Sequence, residues 1–588
     1  MEKSKNKKAE ILWKVTWISL LLLTVLGIVK SLFVSLDIDE SYAIAQAYRL
    51  VTGDKLIFDM WEPHQLSAFL PAFFMAPFCA LLRNTDYAVL ILRIFGTCIH
   101  LIIGTYLYST AKGVFGKKGA FLMTILHVNF LPKWITMPEF ELMHYWCMLL
   151  VFLLLYRNES TKNEIRVIFA ALIYIVSGLC YPTMIILLPL YVVGLLLTNK
   201  KRSAAYFAFF SVVPSVFFVV ILIHNMGLDK FIRYGGYILS DPSHVSETTG
   251  TKWLKLGSDL LQAGILLGIS FLIAAAVTGV ILLIRRKKEK LIARNAVMFF
   301  FAVSCTVLCI RSIYGYLLGD ENQFTVLIRY VPAVIMILIA AFPYRKELKR
   351  EIWFGILPAI VSVPAVLMIS NMGLNVSLSK LFPAIIAGFF VMGKTLKKEE
   401  ANTEKKCIFG VRSAKIAAVA LLFCLLICKI LLIRVTGCLP VTIKAPLMFV
   451  GGGPAKGILV PEKQALYWNE SYDVLNQLIP DDANVLYVGR EQLFYVCFCD
   501  RVCTPSVQGT TVFNEMYDTY YKEFPEKTPE IVVYDKSFEE EPYYAGYVGG
   551  VDFRDEWIKN WVSENFETDR EVEVGNYTIL YLKSNNNT

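Results

Sequence analysis

Charge is what this chain has least of. Asp, Glu, Lys and Arg make up 18% of its 588 residues, against about 25% in soluble domains. Hydrophobic residues reach 56% and the mean hydropathy is +0.52. That balance excludes a disordered chain, a string of soluble domains and a nucleic-acid binder. Histidine is also scarce: there are six, and none follows His244. The 13 cysteines follow no metal-binding spacing. Most sit in apolar runs, where Cys behaves as a small hydrophobe. Cys497, Cys499 and Cys503 cluster near the C-terminal end, and without a histidine beside them they read as packing thiols or one disulfide. No glycine fingerprint for a nucleotide is present. No internal repeat of the kind built into many transporters is visible.

Long apolar runs take the place of charge. A membrane span needs about 20 apolar residues. The clearest runs are Leu260–Ile284 and Ser203–Ile223, and others cover 87–110, 119–137, 140–156, 166–179, 182–198, 295–317, 326–342, 352–370, 376–393 and 415–436. The basic start MEKSKNKK is followed by apolar sequence to Leu36 with no small-residue cleavage site. It reads as an uncleaved first span, which makes 13. The run 66–82 is apolar as well, but it is 17 residues long and holds two prolines.

Basic residues decide whether that run crosses. If it lies on the outer surface as an interfacial helix, the cytoplasmic loops carry 31 Lys and Arg and the outer loops before residue 437 carry 7. If it crosses, the clusters RRKKEK and KTLKKEEANTEKK fall outside. The expected architecture is therefore an α-helical polytopic protein of the plasma membrane with about 13 transmembrane helices. Residues 1–436 form the membrane module, 37–86 its first outer loop with interfacial helices, and 437–588 an extracytoplasmic domain. The N-terminus is cytoplasmic.

The tail differs in kind. From Pro454 onward there are 11 basic and 24 acidic residues, a net charge of −13, while the rest of the chain carries +22. The stretch VGGGPAKG reads as a flexible exit. An amphipathic run at Ser471–Ile479 and strand-like VLYVG and EIVVY then alternate, which predicts a small α/β domain.

Residues able to carry chemistry gather on the outer side. Asp37, Asp39 and Glu40 stand just past the first span. Three carboxylates there can supply a general base or a metal site, or Asp39 can simply cap the helix that starts near Ser41. Glu139 and Glu141 stand at the outer edge of the fourth span, with His144 a turn deeper. They are either solvated span ends or functional acids. Arg93, Arg311 and Arg329 lie toward outer span ends, and Lys230 and Arg233 lie in an outer loop. A guanidinium fork suits phosphate; snorkelling to headgroups is the plainer reading.

The segments Asp39-Glu40-Ser41-Tyr42, Gly53-Asp54 and Trp61-Glu62-Pro63-His64-Gln65 resemble the first outer loop of GT-C membrane glycosyltransferases, the group of protein O-mannosyltransferases and lipid A aminoarabinose transferases. Met137-Pro138-Glu139 resembles that group's second acidic site, where Asp is commoner. Arg329-Tyr330-Val331-Pro332 resembles its Arg-Tyr helix start. The resemblance implies a membrane glycosyltransferase that moves a hexosyl or pentosyl unit from a polyprenyl-phosphate donor to a hydroxyl of a glycan, lipid or protein acceptor, with inversion. In that reading Asp39 and Glu40 are catalytic. Glu139, Glu141, His64 and Tyr42 hold the acceptor or a metal, and Arg329, Tyr330, Arg311, Arg233 and Arg93 hold the donor phosphate. No cofactor is required, and a divalent metal is allowed without being demanded. Membrane lipids are the other expected partner. A transporter or flippase of lipid-linked sugars, a glycan polymerase or ligase, and a sensor with a ligand-binding tail are the competing classes. Fold alone does not choose among them.

Overall fold

The computed structural model describes residues 2–583 apart from 158–162, 240–248, 285–289, 292, 318–328, 370–373, 403–406, 409–410, 432–445, 490, 509–511, 513 and 537–553. The chain is a helical polytopic membrane protein with a small C-terminal α/β domain. Among the described residues, eight helices are long and apolar enough to cross a membrane, and shorter apolar helices accompany them. Each of the 13 expected runs contains a helix. Large apolar side chains such as Leu21, Phe217 and Leu272 remain exposed along the bundle. That surface suits lipid, where backbone groups must bond internally and side chains need not be polar.

The first helix, α1 (Glu2–Phe33), leads into α2 (Ile38–Val51), which opens the outer loop. Asp37 caps α2 by accepting from the Asp39 amide at 3.0 Å. The cap is therefore Asp37, and the expectation that Asp39 fills that role is corrected. α3 (Phe69–Leu82) has 14 residues. At 1.5 Å per residue that is about 21 Å, short of the roughly 30 Å hydrocarbon layer, so this run cannot cross alone.

Two expected spans merge in α4 (Ala88–Val128), which breaks at Gly116, where φ is +69°. A β-carbon is strained in that left-handed conformation. The helix stops at Val128, short of the expected 137. Residues 129–139, which include Pro132 and Pro138, form an irregular segment instead. Proline cannot donate to a helix ladder. This segment packs so closely on α4 that a β-carbon at Gly96 would collide with the Thr136 carbonyl oxygen.

Outside the bundle, strands β1 (Leu447–Phe449) and β2 (Leu459–Pro461) pair antiparallel. A four-stranded sheet follows, made of β3 (Val485–Val488), β4 (Ile531–Asp535), β5 (Thr568–Val574) and β6 (Tyr577–Leu582) in the order β3-β4-β6-β5. β3 and β4 are parallel, and β6 runs antiparallel to both β4 and β5. The runs VLYVG and EIVVY supply its edge strand β3 and the neighbouring inner strand β4, both buried along their length. The expected boundary at 436/437 lies outside the described residues.

The domain is docked on the first outer loop through buried polar contacts. Arg49 bonds Asp54 at 2.7 Å, Glu62 at 3.3 Å and the Pro505 carbonyl at 3.2 Å. Glu62 also accepts from Ser506 Oγ and from the Val507 amide, each at 3.1 Å. Burial pushes the Glu62 carboxyl up, against the pull of Arg49. Trp61 is enclosed by Tyr234, Tyr237 and Tyr520. The motif residues Asp54, Trp61 and Glu62 thus hold the tail in place.

Candidate active site

Asp39 sits in the first turn of α2, partly exposed, and pairs with Lys133 of the irregular segment. Lys133 Nζ lies 5.2 Å from the centroid of Phe140. The His64 ring stacks on the same Phe140 ring at 3.8 Å and 11°. His64 takes a left-handed backbone (φ +61°). Its loop is held by Tyr42, whose hydroxyl donates to the Pro63 carbonyl at 2.7 Å, and by Gln46 Nε2 on the same oxygen at 2.8 Å. Tyr42 therefore positions the His64 loop, where a direct acceptor contact was expected.

Glu40 points away from Asp39's partner. It is fully buried and bonds Arg93 twice, Oε1 to Nε at 2.6 Å and Oε2 to Nη2 at 2.5 Å. Arg93 spends its remaining donors on the carbonyls of Leu32 at 3.2 Å and Ser35 at 2.7 Å. This corrects two expectations: Glu40 and Arg93 neutralise each other, so neither is available to a substrate in this arrangement. Burial pushes the Glu40 carboxyl up while Arg93 pulls it down.

Glu139 is the N-cap of α5 (Phe140–Tyr156), accepting from the Glu141 amide at 2.8 Å and the Leu142 amide at 2.7 Å. Burial pushes its carboxyl up to about 7, with Lys133 opposing and Glu141 adding to the shift. Two residues on, Glu141 pairs with Lys380 at 3.4 Å. Tyr181 bridges them: its hydroxyl donates to Glu141 Oε1 at 3.2 Å and accepts from Lys380 Nζ at 3.1 Å. His144 Nδ1 lies 2.9 Å from Ser177 Oγ. Glu141, His144, Tyr145, Ser379 and Lys380, with Pro132 and Pro383, line a small cleft whose interior has room for about one water-sized group. Stacking and edge contacts among His64, Phe140, Tyr181 and His144 join this cavity to the Lys133–Asp39 pair.

The four carboxylates do not converge on one point. Asp39 has Lys133, Glu40 has Arg93, Glu139 has two backbone amides and Glu141 has Lys380. Among the described residues no group of three or more His, Cys, Asp or Glu is placed to hold a metal ion. As placed, these carboxylates do not form a donor set for a divalent metal.

The cations expected to meet phosphate are scattered. Arg233 pairs with Glu523 of the tail at 2.5 Å, as does Lys230, so it fastens the C-terminal domain. Those two cations hold the Glu523 carboxyl below the usual range. Arg311 is exposed on the helix Ala293–Leu317. Arg329 and Tyr330 are fully buried at the start of the helix Tyr330–Ala341. Beside them Lys429 lies 5.2 Å from the Tyr330 ring centroid and 4.4 Å from that of Phe130.

Sequence reasoning missed Lys133, Lys380, Tyr181 and Lys429. Each cation is a lone lysine near a span end, a pattern shared with ordinary snorkelling.

No protein-family model matches this chain, and no curated protein sequence matches it. Among solved structures, it is similar to the Archaeoglobus fulgidus oligosaccharyltransferase, crystallised tethered by a disulfide bond to an acceptor peptide containing the NVT sequon. Identity is 13% over 90% of this chain and 70% of that chain, with a TM-score of 0.34. No residue correspondence follows at that level.

Proposed function

We propose that this chain is an inverting membrane glycosyltransferase that moves a sugar from a polyprenyl phosphate to an acceptor hydroxyl on the outer face. One observation carries the reading. A partly exposed carboxylate, Asp39, pairs with Lys133, and the Phe140 ring joins that pair and His64 to a polar cluster of Glu141, Tyr181, Lys380 and His144 at the ends of membrane helices. The resemblance of the first outer loop to GT-C glycosyltransferases supports the same class.

In this reading the acceptor hydroxyl gives its proton to Asp39. The oxygen forms a bond to the anomeric carbon, and the bond from that carbon to the phosphate oxygen breaks on the opposite face. The electron pair leaves with the lipid phosphate. A single displacement needs a base and no carboxylate nucleophile. Lys133 holds Asp39 until the acceptor arrives. Arg329 supplies positive charge for the departing phosphate. These steps require neither a nucleotide nor a metal.

The test is mass spectrometry of cells lacking the protein. The reading expects one lipid-phosphate sugar to accumulate and one glycan to disappear. Unchanged lipid-linked sugars and glycans would reject it.

A further inference from the structure

Resting on the glycosyltransferase reading, we propose that the cavity between Glu141, His144 and Lys380 is the recognition site for the sugar ring of the donor, binding one edge of that ring through its hydroxyls. His144 is 2% exposed. Its Nδ1 is engaged by Ser177, and its Nε2 has no hydrogen-bond partner among the described residues. A buried polar atom left unmade costs free energy, so this nitrogen calls for a ligand.

The surrounding groups choose the chemistry. Glu141 accepts, Lys380 donates, and Ser379 carries a hydroxyl; the carboxylate and ammonium leave the site close to neutral. A phosphate would meet the Glu141 charge. A neutral polyol gives hydrogen bonds to the carboxylate and takes them from the ammonium. Tyr145 and the two prolines supply apolar walls for the C–H faces of a ring. The interior admits about one hydroxyl from the edge of a ring, whose body stays outside it.

Its place in the fold favours the donor. His144 and Tyr145 lie in the second turn of α5, deeper in the bundle than Asp39. A sugar whose lipid lies in the bilayer arrives from the bundle side. An acceptor approaches from outside, where Asp39 is exposed.

The experiment measures binding to the full-length protein in nanodiscs. The probes are undecaprenyl phosphate alone and undecaprenyl phosphate carrying glucose, galactose, mannose, N-acetylglucosamine or arabinose. At least one glycosyl lipid is expected to bind on the order of tenfold more tightly than the bare lipid. His144→Ala should bring that ratio to about one and leave the bare-lipid affinity unchanged. The paired variant Glu141→Gln/Lys380→Met removes both charges together, so no buried charge is left unpaired, and it should do the same. Thermal unfolding of each variant checks the fold. A wild-type ratio of one for every sugar, or a ratio that survives in the folded variants, overturns the sugar site while leaving the glycosyltransferase reading standing. Failure of every lipid, bare or glycosylated, to bind rejects the donor reading, and the site with it.

Discussion

Arg93 and Glu40 form a doubly hydrogen-bonded ion pair with neither side chain exposed, joining α4 to the first turn of α2. The pair fixes the helix that carries Asp39. Removing one partner leaves an uncompensated buried charge, which costs about 3–5 kcal/mol. Arg93→Met should therefore lower the thermal unfolding temperature sharply. Arg93→Met/Glu40→Gln should recover much of the loss, because no lone charge remains. A double variant no more stable than Arg93→Met would show that the pair's charges are not what matters.

Glu139 gives a pH signature. Its folded carboxyl is raised to about 7 by burial, above the ordinary 4.5. The folded state therefore binds this proton more tightly than the unfolded chain does. That contribution is full below about 4.5 and is lost as pH rises through about 7, an effect on the order of 3 kcal/mol. Unfolding temperature should fall between pH 5 and 8 in the wild type. Glu139→Gln should flatten that slope, and an unchanged slope would assign it to another group.

Arg329 separates charge from shape. If it neutralises a departing phosphate, Arg329→Ala should slow sugar transfer far more than Arg329→Lys, which keeps the charge and loses the fork. Equal, wild-type rates for both variants would make Arg329 a packing residue.

Orientation is checked by labelling. Cysteines placed in 450–583 should react with an impermeant reagent from outside intact cells, and those in 394–414 should not. Labelling of 394–414 from outside, with a sealed tail, would reverse the proposed sidedness.

The helical bundle and the strands β3 and β4 of the tail were legible because apolar length and strand-like composition are local signals. So was the outer loop as a place of polar chemistry. The division of labour inside it was not. Asp37, Asp39 and Glu40 look alike in sequence, yet one caps α2, one pairs with Lys133 and one is sealed against Arg93, 53 residues away. The packing of α4 and of the irregular segment after it decides which of Asp39 and Glu40 meets which cation. Glu139 read as a second acidic site, and the structure uses both its oxygens to start α5. Lys133 and Lys380 went unnoticed because one lysine at a helix end carries no pattern; their meaning comes from carboxylates brought close by the fold.

Asp39 carries the central claim. Asp39→Asn keeps the shape of the side chain and removes the proton acceptor. The measurement is single-turnover transfer from purified lipid-linked sugar to acceptor, with thermal stability recorded alongside. Loss of a general base typically costs on the order of 10²–10⁴ in rate. The account predicts a loss of that size in a protein as stable as the wild type, because the cap of α2 belongs to Asp37 and is untouched. An Asp39→Asn protein that is stable and transfers sugar at the wild-type rate would contradict it.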